Sequence, residues 1–144
     1  MVKWSNDLRI KERLLSVKLV HAPDDYYSWS FEQRAACLQA HSTKALCKTI
    51  IMKNVLFNKD HPADPTYPKF VCVITQYVAK LNGHKVKNLM KAYQNSTTEV
   101  QKAYSSGFKF RLADEADAVE LTGYGHNGMT PFYMKNDSLL IILS

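Results

Sequence analysis

The spacing of apolar and polar residues in the first half of the chain predicts two short elements and a loop. Ser30 and Gln33 have the spacing of a capping box, so a helix is expected over residues 30–40. The stretch 46–57 is rich in β-branched and apolar residues and predicts a strand or a bent hairpin arm. Three prolines and several polar residues in 58–68 then favour a surface loop.

The middle of the chain combines strand and helix patterns. Residues 70–74 form a nearly continuous apolar run, typical of a strand that is buried on both faces. After the turn signal Asn82-Gly83, four apolar residues at helical spacing predict one buried helix face: Val86, Leu89, Met90 and Tyr93. Capping residues predict two further helix starts, at Ser5 and at Thr98.

The last third of the chain completes an α+β pattern. In 108–112 apolar residues alternate with basic ones, which predicts a strand with one solvated face. An acidic first turn at Asp114 and a left-handed position at Gly123 delimit the next helix, and 139–143 is a last apolar strand. With about five or six strands among short helices, residues 1–144 are expected to form a single α+β domain.

Composition narrows the class of protein without deciding its function. Of the 144 residues, 46% are apolar and 22% are charged, which is close to the globular average and argues against disorder. No segment approaches the roughly 20 apolar residues that span a bilayer, and the N-terminus lacks the apolar core of a signal peptide. We therefore expect a cytoplasmic protein with no membrane partner.

The cysteines and histidines do not form a metal or redox motif. Cys37, Cys47 and Cys72 are widely spaced, so free thiols in a reducing compartment are expected. The five histidines are scattered, and none stands at a metal-ligand spacing from another His, a Cys or a carboxylate. The sequence also has no nucleophile elbow, phosphate-binding loop or dinucleotide fingerprint. We expect neither a metal nor another cofactor.

Positive charge is concentrated in the middle of the chain. The 19 basic and 13 acidic residues give a formal net charge of +6. No acidic residue occurs between Asp64 and Glu99, an interval that holds the candidate phosphate-binding residues Lys80, Lys85, Lys87 and Lys91. An ordinary solvated helix face is the alternative interpretation, but this charge distribution suits a polyanionic partner.

Two local features are candidates for chemistry. Lys48 precedes an apolar strand, where it is either a strand-end lysine with a solvated ammonium or a fixed cation for a phosphate or carbonyl oxygen. The loop 122–132 contains three of the five glycines of the chain and Pro131. Because glycines let backbone N–H groups approach a ligand, this loop is a candidate oxyanion hole; a plain helix-to-strand connection is the alternative.

Three ordered segments carry a resemblance to a known family: Leu46-Cys47-Lys48-Thr49-Ile50-Ile51-Met52, Thr122-Gly123-Tyr124 and Gly128-Met129-Thr130-Pro131-Phe132. They resemble the YbaK / prolyl-tRNA-synthetase-associated family of aminoacyl-tRNA editing domains. Two further stretches are similar to its stand-alone eukaryotic branch: Asp24-Asp25-Tyr26-Tyr27-Ser28-Trp29 and Gln76-Tyr77-Val78-Ala79-Lys80-Leu81-Asn82. The similarity covers most of residues 20–144.

The resemblance implies a fold and an activity. The fold is a mixed, curved, barrel-like sheet with packed helices and a pocket for the aminoacylated 3′ end of a tRNA. The activity is hydrolysis, in trans, of the ester of a mischarged aminoacyl-tRNA, with tRNA(Pro) carrying a small amino acid as the substrate. The attacking water is helped by the ribose hydroxyl of the substrate, so no side-chain nucleophile is required. An aminoacyl-tRNA synthetase is an expected partner besides tRNA.

The resemblance also assigns roles to residues. Lys48 is the cation that anchors the terminal nucleotide or the ester, and Gly128 belongs to the catalytic loop whose backbone N–H groups hold the carbonyl oxygen. Substrate-binding roles fall on the rest of the loop and on two tyrosines: Gly123, Tyr124, Gly125, His126, Met129, Thr130, Pro131, Tyr26 and Tyr27. The lysines Lys80, Lys85, Lys87 and Lys91 are expected to meet the acceptor stem.

One departure from the family concerns the end of the chain. Family members usually continue beyond the strand at 139–143 with a glycine-rich segment, which this chain is expected to lack. The last strand is then a candidate exposed edge, open to pairing with a second copy of the chain. Three hypotheses stay open: a deacylase acting in trans, a non-catalytic tRNA-binding or synthetase-associated module, and a fold relative that acts on another acyl or nucleotide ligand.

Overall fold

The computed structural model describes residue 18 and residues 20–59, 64–97 and 107–143. The chain divides into two compact units, Met1–Leu46 and Cys47–Ser144. The helix starts predicted at Ser5 and Thr98 lie outside the described residues. The single domain predicted for the whole chain stays a prediction.

In the described part of the first unit, helix α1 spans Phe31–Cys37. It begins with the predicted capping box, in which the Gln33 amide donates to the Ser30 hydroxyl at 3.3 Å and the Ser30 amide donates to the Gln33 side chain at 2.9 Å. The helix is shorter than predicted because Gln39 adopts a left-handed conformation, with φ 54°, that ends it. Two 3₁₀ segments flank it, Tyr26–Ser28 and Thr43–Ala45.

The second unit is built on a mixed sheet. Its four described strands are β1 at Cys47–Asn54, β2 at Phe70–Gln76, β3 at Phe110–Leu112 and β4 at Leu140–Leu143. In the order β3-β1-β2-β4, β1 pairs antiparallel with both neighbours and β2 pairs parallel with β4. The predicted α+β class is confirmed. The barrel-like closure is wrong for the described residues, because β3 and β4 lie at opposite edges and do not pair.

Helix α2, at Gly83–Thr97, packs on one face of this sheet, which we call the α2-side face. Alternate strand residues such as Met52 and Val73 form a core with Val86 and Met90 of the helix. Gly83 lets the helix begin against β3, since a Cβ atom there would lie 2.7 Å from the Phe110 carbonyl oxygen. Close packing therefore explains the glycine at this position.

The buried face of α2 differs from the predicted one. Val86, Met90 and Gln94 are buried, whereas Leu89 is 49% exposed and Tyr93 is 38% exposed. The buried residues are spaced four apart and form one narrow stripe along the helix. Leu89 and Tyr93 each precede a buried residue by one position, which turns them about 100° away onto the flank of the helix. The prediction that these two residues are buried is wrong.

Helix α3, at Glu115–Thr122, packs on the opposite face, which we call the α3-side face. Its core includes Ile51, Cys72 and Ala118. As predicted, Gly123 ends the helix in a left-handed conformation, with φ 75°. Alternation along β1 and β2 thus gives the sheet two buried faces, and it decides on which of them each polar strand residue lies.

Candidate functional site

Lys48 lies at the beginning of β1 on the α2-side face, because it alternates with Ile50 and Met52. Its partner across the strand pair is Thr75. The Lys48 side chain is half-buried, and its Nζ lies 5.6 Å from the centroid of the Tyr77 ring. Lys48 forms no ion pair with any carboxylate of the described chain. Its charge is therefore available to an anionic ligand.

The α2-side face changes from apolar to polar where Lys48 lies. Along β2, Val71 and Val73 are followed on this face by Thr75, and the ring of Tyr77, just beyond the end of the strand, lies beside the Lys48 ammonium. We call Lys48, Thr75 and Tyr77 the polar end of this face. Thr75 is fully buried, and its hydroxyl has no hydrogen-bond partner among the described residues. The sequence analysis missed Thr75; the signal was a threonine at the position where an alternating valine pattern calls for another apolar residue.

Lys53, at the other end of β1, has a different environment. It lies on the α3-side face, where its Nζ is 2.7 Å from Asp117 Oδ2 and 3.6 Å from Asp114 Oδ2. The hydrogen bond to Asp117 is the main cause that raises the pKa of Lys53 above its ordinary value, partly opposed by desolvation. These contacts link β1 to the beginning of α3 and help to hold the helix against the sheet.

The lysines predicted to meet RNA lie on α2 and just before it. Lys80 and Lys85 are exposed, and Lys87 and Lys91 are half-buried. None of the four forms an ion pair with a carboxylate in the part of the chain that the structure describes. Lys87 and Lys91 are one turn apart and share a flank of the helix, whereas Lys85 projects from another side. One flank of α2 therefore contains two of the four lysines.

The glycine loop after α3 is held by its own hydrogen bonds. The Gly128 N–H donates to the Gly125 carbonyl at 3.1 Å, so it is not directed at a ligand. The amides of Met129 and Thr130, by contrast, donate to no described residue, and both residues are half-buried. These two half-buried amides are available as donors to a ligand of the loop.

Other loop residues support this turn or face solvent. Tyr124 is half-buried, burial raises the pKa of its hydroxyl, and that hydroxyl donates to the Phe132 carbonyl at 2.7 Å. His126 faces solvent, with 76% of its side chain exposed and its Nδ1 3.6 Å from Glu115 Oε1. Gly125 is exposed, and Pro131 is half-buried.

Tyr133, just beyond this loop, has an unusual backbone conformation. Its φ is 52°, in the left-handed region that a bulky side chain rarely adopts. Asn127 has a similar φ of 60°, but asparagine tolerates this region well. The flanking residues fix the turn, since the Phe132 carbonyl accepts from Tyr124 and the Lys135 amide donates to the Thr122 carbonyl. The backbone is therefore strained at Tyr133, directly after the loop.

The structure does not bring Lys48 and the glycine loop together. Tyr124 and Met129 of the loop pack against the core of the α3-side face, whereas Lys48 belongs to the α2-side face. Thr49, the next residue, lies on the same face as the loop. Lys48 instead shares its face of the sheet with Thr75 and with α2, the helix that carries Lys85, Lys87 and Lys91.

Tyr26 and Tyr27, the predicted entrance residues, belong to the first unit. Tyr26 is buried and Tyr27 is 47% exposed. The buried Arg34 fixes this segment, because its guanidinium donates to the Tyr27 and Trp29 carbonyls at 2.5 and 3.1 Å. The guanidinium also lies within 5.6 Å of three ring centroids, those of Tyr26, Tyr27 and Phe31. The sequence analysis did not single out Arg34.

Comparisons with known proteins do not identify the chain. No protein-family model matches it, and no curated protein matches it. None of the helices in the described ranges is long and apolar enough to cross a lipid bilayer. In the same ranges, no three His, Cys, Asp or Glu side chains are placed to hold a metal ion together.

Proposed function

We propose that this protein binds the acceptor end of a tRNA and hydrolyses the ester of mischarged aminoacyl-tRNA in trans. The substrate class is tRNA(Pro) that carries a small amino acid, and no cofactor takes part. One observation carries the proposal: Lys48 is half-buried, has no carboxylate partner in the described chain, and lies on the same side of the sheet as α2 with its lysines. Such a cation suits a phosphate or ester oxygen.

The chemistry follows from the ester bond. Water attacks the carbonyl carbon and the C–O bond to the ribose breaks. One proton of the water goes to the ribose oxygen, which becomes a hydroxyl, and the other is released to solvent as the amino acid becomes a free carboxylate. Negative charge develops on the carbonyl oxygen during the attack, and a nearby ammonium stabilises it. Lys48 supplies this charge in the proposal. The ribose hydroxyl of the substrate assists the water, so the protein needs no nucleophilic side chain.

A non-catalytic tRNA-binding or synthetase-associated module is the second candidate. It is favoured by the separation of Lys48 from the glycine loop and by the use of the Gly128 N–H inside that loop. Under this proposal the lysines still bind the acceptor stem, but no set of donors surrounds the ester carbonyl.

Two further partners belong to the proposal. An aminoacyl-tRNA synthetase is proposed because an editing protein acts on the product of that enzyme. A second copy of the chain is proposed at β4, an edge strand of the described sheet, on which Ile141 is 45% exposed and Leu143 is 76% exposed. The proposed cellular location is the cytoplasm, where tRNA is charged.

The test is release of a radiolabelled amino acid from tRNA(Pro) charged with alanine or cysteine. The wild-type protein and Lys53→Ala are expected to release it at similar rates. Lys48→Ala is expected to lose about 100-fold or more, which is the usual cost of removing a group that stabilises a developing oxyanion. Lys53→Ala is the matched control, since it removes a lysine from the same strand on the opposite face.

The outcomes separate the two candidates. Binding of the tRNA without release by the folded wild-type protein contradicts the deacylase and supports the binding module. Equal losses in Lys48→Ala and Lys53→Ala contradict a specific role for Lys48. Equal rates on tRNA esters and on free aminoacyl esters contradict a requirement for RNA.

A further inference from the structure

Thr75 differs from the other buried threonines of the described chain in one respect. The Thr122 hydroxyl donates to the Ala118 carbonyl at 2.7 Å and accepts from the Tyr124 amide at 3.1 Å. The Thr66 hydroxyl donates to Asp64 Oδ1 at 2.6 Å. Only the Thr75 hydroxyl lacks a partner among the described residues, although Thr75 has no exposed surface.

A buried hydroxyl without a hydrogen bond is unfavourable for folding. Valine has almost the same shape, and Val71 and Val73 fill the two preceding positions of this strand face. Packing alone therefore favours valine at position 75. The hydroxyl is explained if its partner is present only in a complex.

The neighbours of Thr75 indicate where that partner comes from. Lys48 stands directly opposite on β1, and Tyr77 follows two residues later, just beyond the end of β2. Lys48 has its side chain on the same sheet face as Thr75, and the Lys48 ammonium lies over the Tyr77 ring. A cation–π contact at a partly exposed site is worth less than an unsatisfied buried hydroxyl costs. When an anion draws Lys48 away from Tyr77, the contact that is lost is therefore worth less than the hydrogen bond that the Thr75 hydroxyl gains.

We propose that Thr75 is a substrate-binding residue of the polar end. When the Lys48 ammonium leaves the Tyr77 ring, one of its three N–H donors pairs with a phosphate oxygen of the single-stranded 3′ end and another stays available to the ester carbonyl. The Thr75 hydroxyl donates a hydrogen bond to the same phosphate oxygen. The inference rests on the proposed function, because it names the RNA as the ligand. It extends that function because it makes the hydroxyl of Thr75, a residue in the core of the sheet, a contact of the substrate.

The test compares Thr75→Val with Thr75→Ser, which keeps the hydroxyl. The probes are an acceptor-stem RNA that ends in CCA and the same RNA without its unpaired 3′ nucleotides. Affinity is measured by fluorescence anisotropy, and stability by urea unfolding. Thr122→Val is the control, since it removes a buried hydroxyl whose hydrogen bonds lie within the fold.

Thr75→Val is expected to raise the urea midpoint and to weaken binding of the CCA-ending RNA about tenfold, the effect of one hydrogen bond to a charged group. Its affinity for the shortened RNA is expected to be unchanged. Thr75→Ser is expected to bind both RNAs like the wild type. Thr122→Val is expected to lower the urea midpoint while leaving both affinities unchanged.

The inference is overturned if Thr75→Val binds the CCA-ending RNA as tightly as the wild type, or if it unfolds at a lower urea concentration. If that result is accompanied by Lys48-dependent binding of the RNA, the proposed function stands without the inference. If the wild-type protein binds neither RNA, the proposed function and the inference both fail.

Discussion

Lys48 and Lys53 stand five positions apart on the same strand, yet their environments have little in common. Lys53 contacts two aspartates, Asp114 and Asp117, and its Nζ also lies 5.7 Å from the centroid of the Phe70 ring. Lys48 has an aromatic ring beside it and no described carboxylate. Because an odd spacing turns two strand residues to opposite faces, Lys53 lies on the side of α3 and Lys48 lies beside Thr75 on the other side.

This difference distinguishes a charge that the fold pairs with carboxylates from one that it leaves without a carboxylate partner in the described residues. An ion pair such as that of Lys53 holds a helix in place, and its partners compensate the charge. The half-buried Lys48 contacts the ring of Tyr77 but has no carboxylate partner in the described structure, so its charge is compensated less than that of Lys53. The same reasoning applies to the two buried threonines Thr75 and Thr122.

The largest expected effect tests whether the α3-side face is closed. Cys72 lies in its core and is fully buried, and burial raises the pKa of its thiol to about 11. Since the thiolate is the reactive form, Cys72 is expected to react with iodoacetamide at pH 8 at least about 100-fold more slowly than an ordinary exposed thiol. Peptide mass spectrometry after timed alkylation measures this, with the exposed Cys47 as the internal control. Comparable rates at the two cysteines show that this face opens readily.

The next effect concerns the basic flank of α2. The double substitution Lys87→Glu and Lys91→Glu is expected to weaken acceptor-stem RNA binding by about tenfold or more. It is also expected to reduce the slope of log affinity against log salt by about 2, one unit for each phosphate that is no longer neutralised. Lys53→Glu in the same titration is the control, because Lys53 lies on the opposite side of the sheet. An unchanged salt slope in the double variant places the RNA elsewhere.

A smaller effect is expected on the loop side of the sheet. Tyr133→Gly should raise the free energy of unfolding by about 1 kcal/mol, since glycine adopts a positive φ without the steric cost of a side chain. Asn127→Gly is the matched control and is expected to change stability little, because asparagine already tolerates this conformation. Urea unfolding measures both. A loss of stability in Tyr133→Gly indicates that packing of the ring outweighs the backbone strain.

The smallest effect is that of the Lys53 ion pairs. The pKa of Lys53 is raised above its ordinary value of 10.5, chiefly by the hydrogen bond to Asp117, so the folded state holds this proton more tightly than the unfolded state. The resulting stabilisation is fully present below pH 10.5 and is lost as the pH rises through the higher pKa of the folded state. Lys53→Met is therefore expected to be slightly less stable than the wild type at pH 8, with the difference shrinking above pH 10.5. A difference that grows with alkaline pH contradicts this sign.

Much of the local structure could be predicted from the sequence, because it depends on neighbouring residues. The capping box at Ser30 and Gln33 and the helix end at Gly123 involve residues a few positions apart, and both are present. The apolar runs likewise correspond to strands within a few residues of their predicted bounds. The sequence also pointed to Lys48 as an unusual lysine, although its function stays a proposal.

The candidate site was less accessible to this reasoning. The sequence analysis treated Lys48 and the glycine loop as parts of one pocket, but it had no means of deciding which sheet face each of them joins. It passed over Thr75, whose hydroxyl is unusual only once its burial is known. It also assigned Leu89 and Tyr93 to the core, because helical spacing alone does not decide where the buried stripe is centred.

The sequence by itself determined the hydrophobic periods of the helices and strands, the helix caps and the concentration of positive charge in the middle of the chain. Each of these depends on the order of residues along the chain. Only the tertiary structure decided which side chains contact one another. Lys53 meets Asp117 across 64 positions, and no local pattern distinguishes it from Lys48, which meets Tyr77 instead. The physical reason is that charge compensation and burial depend on distances in space, and strand pairing brings distant residues together only in the folded chain.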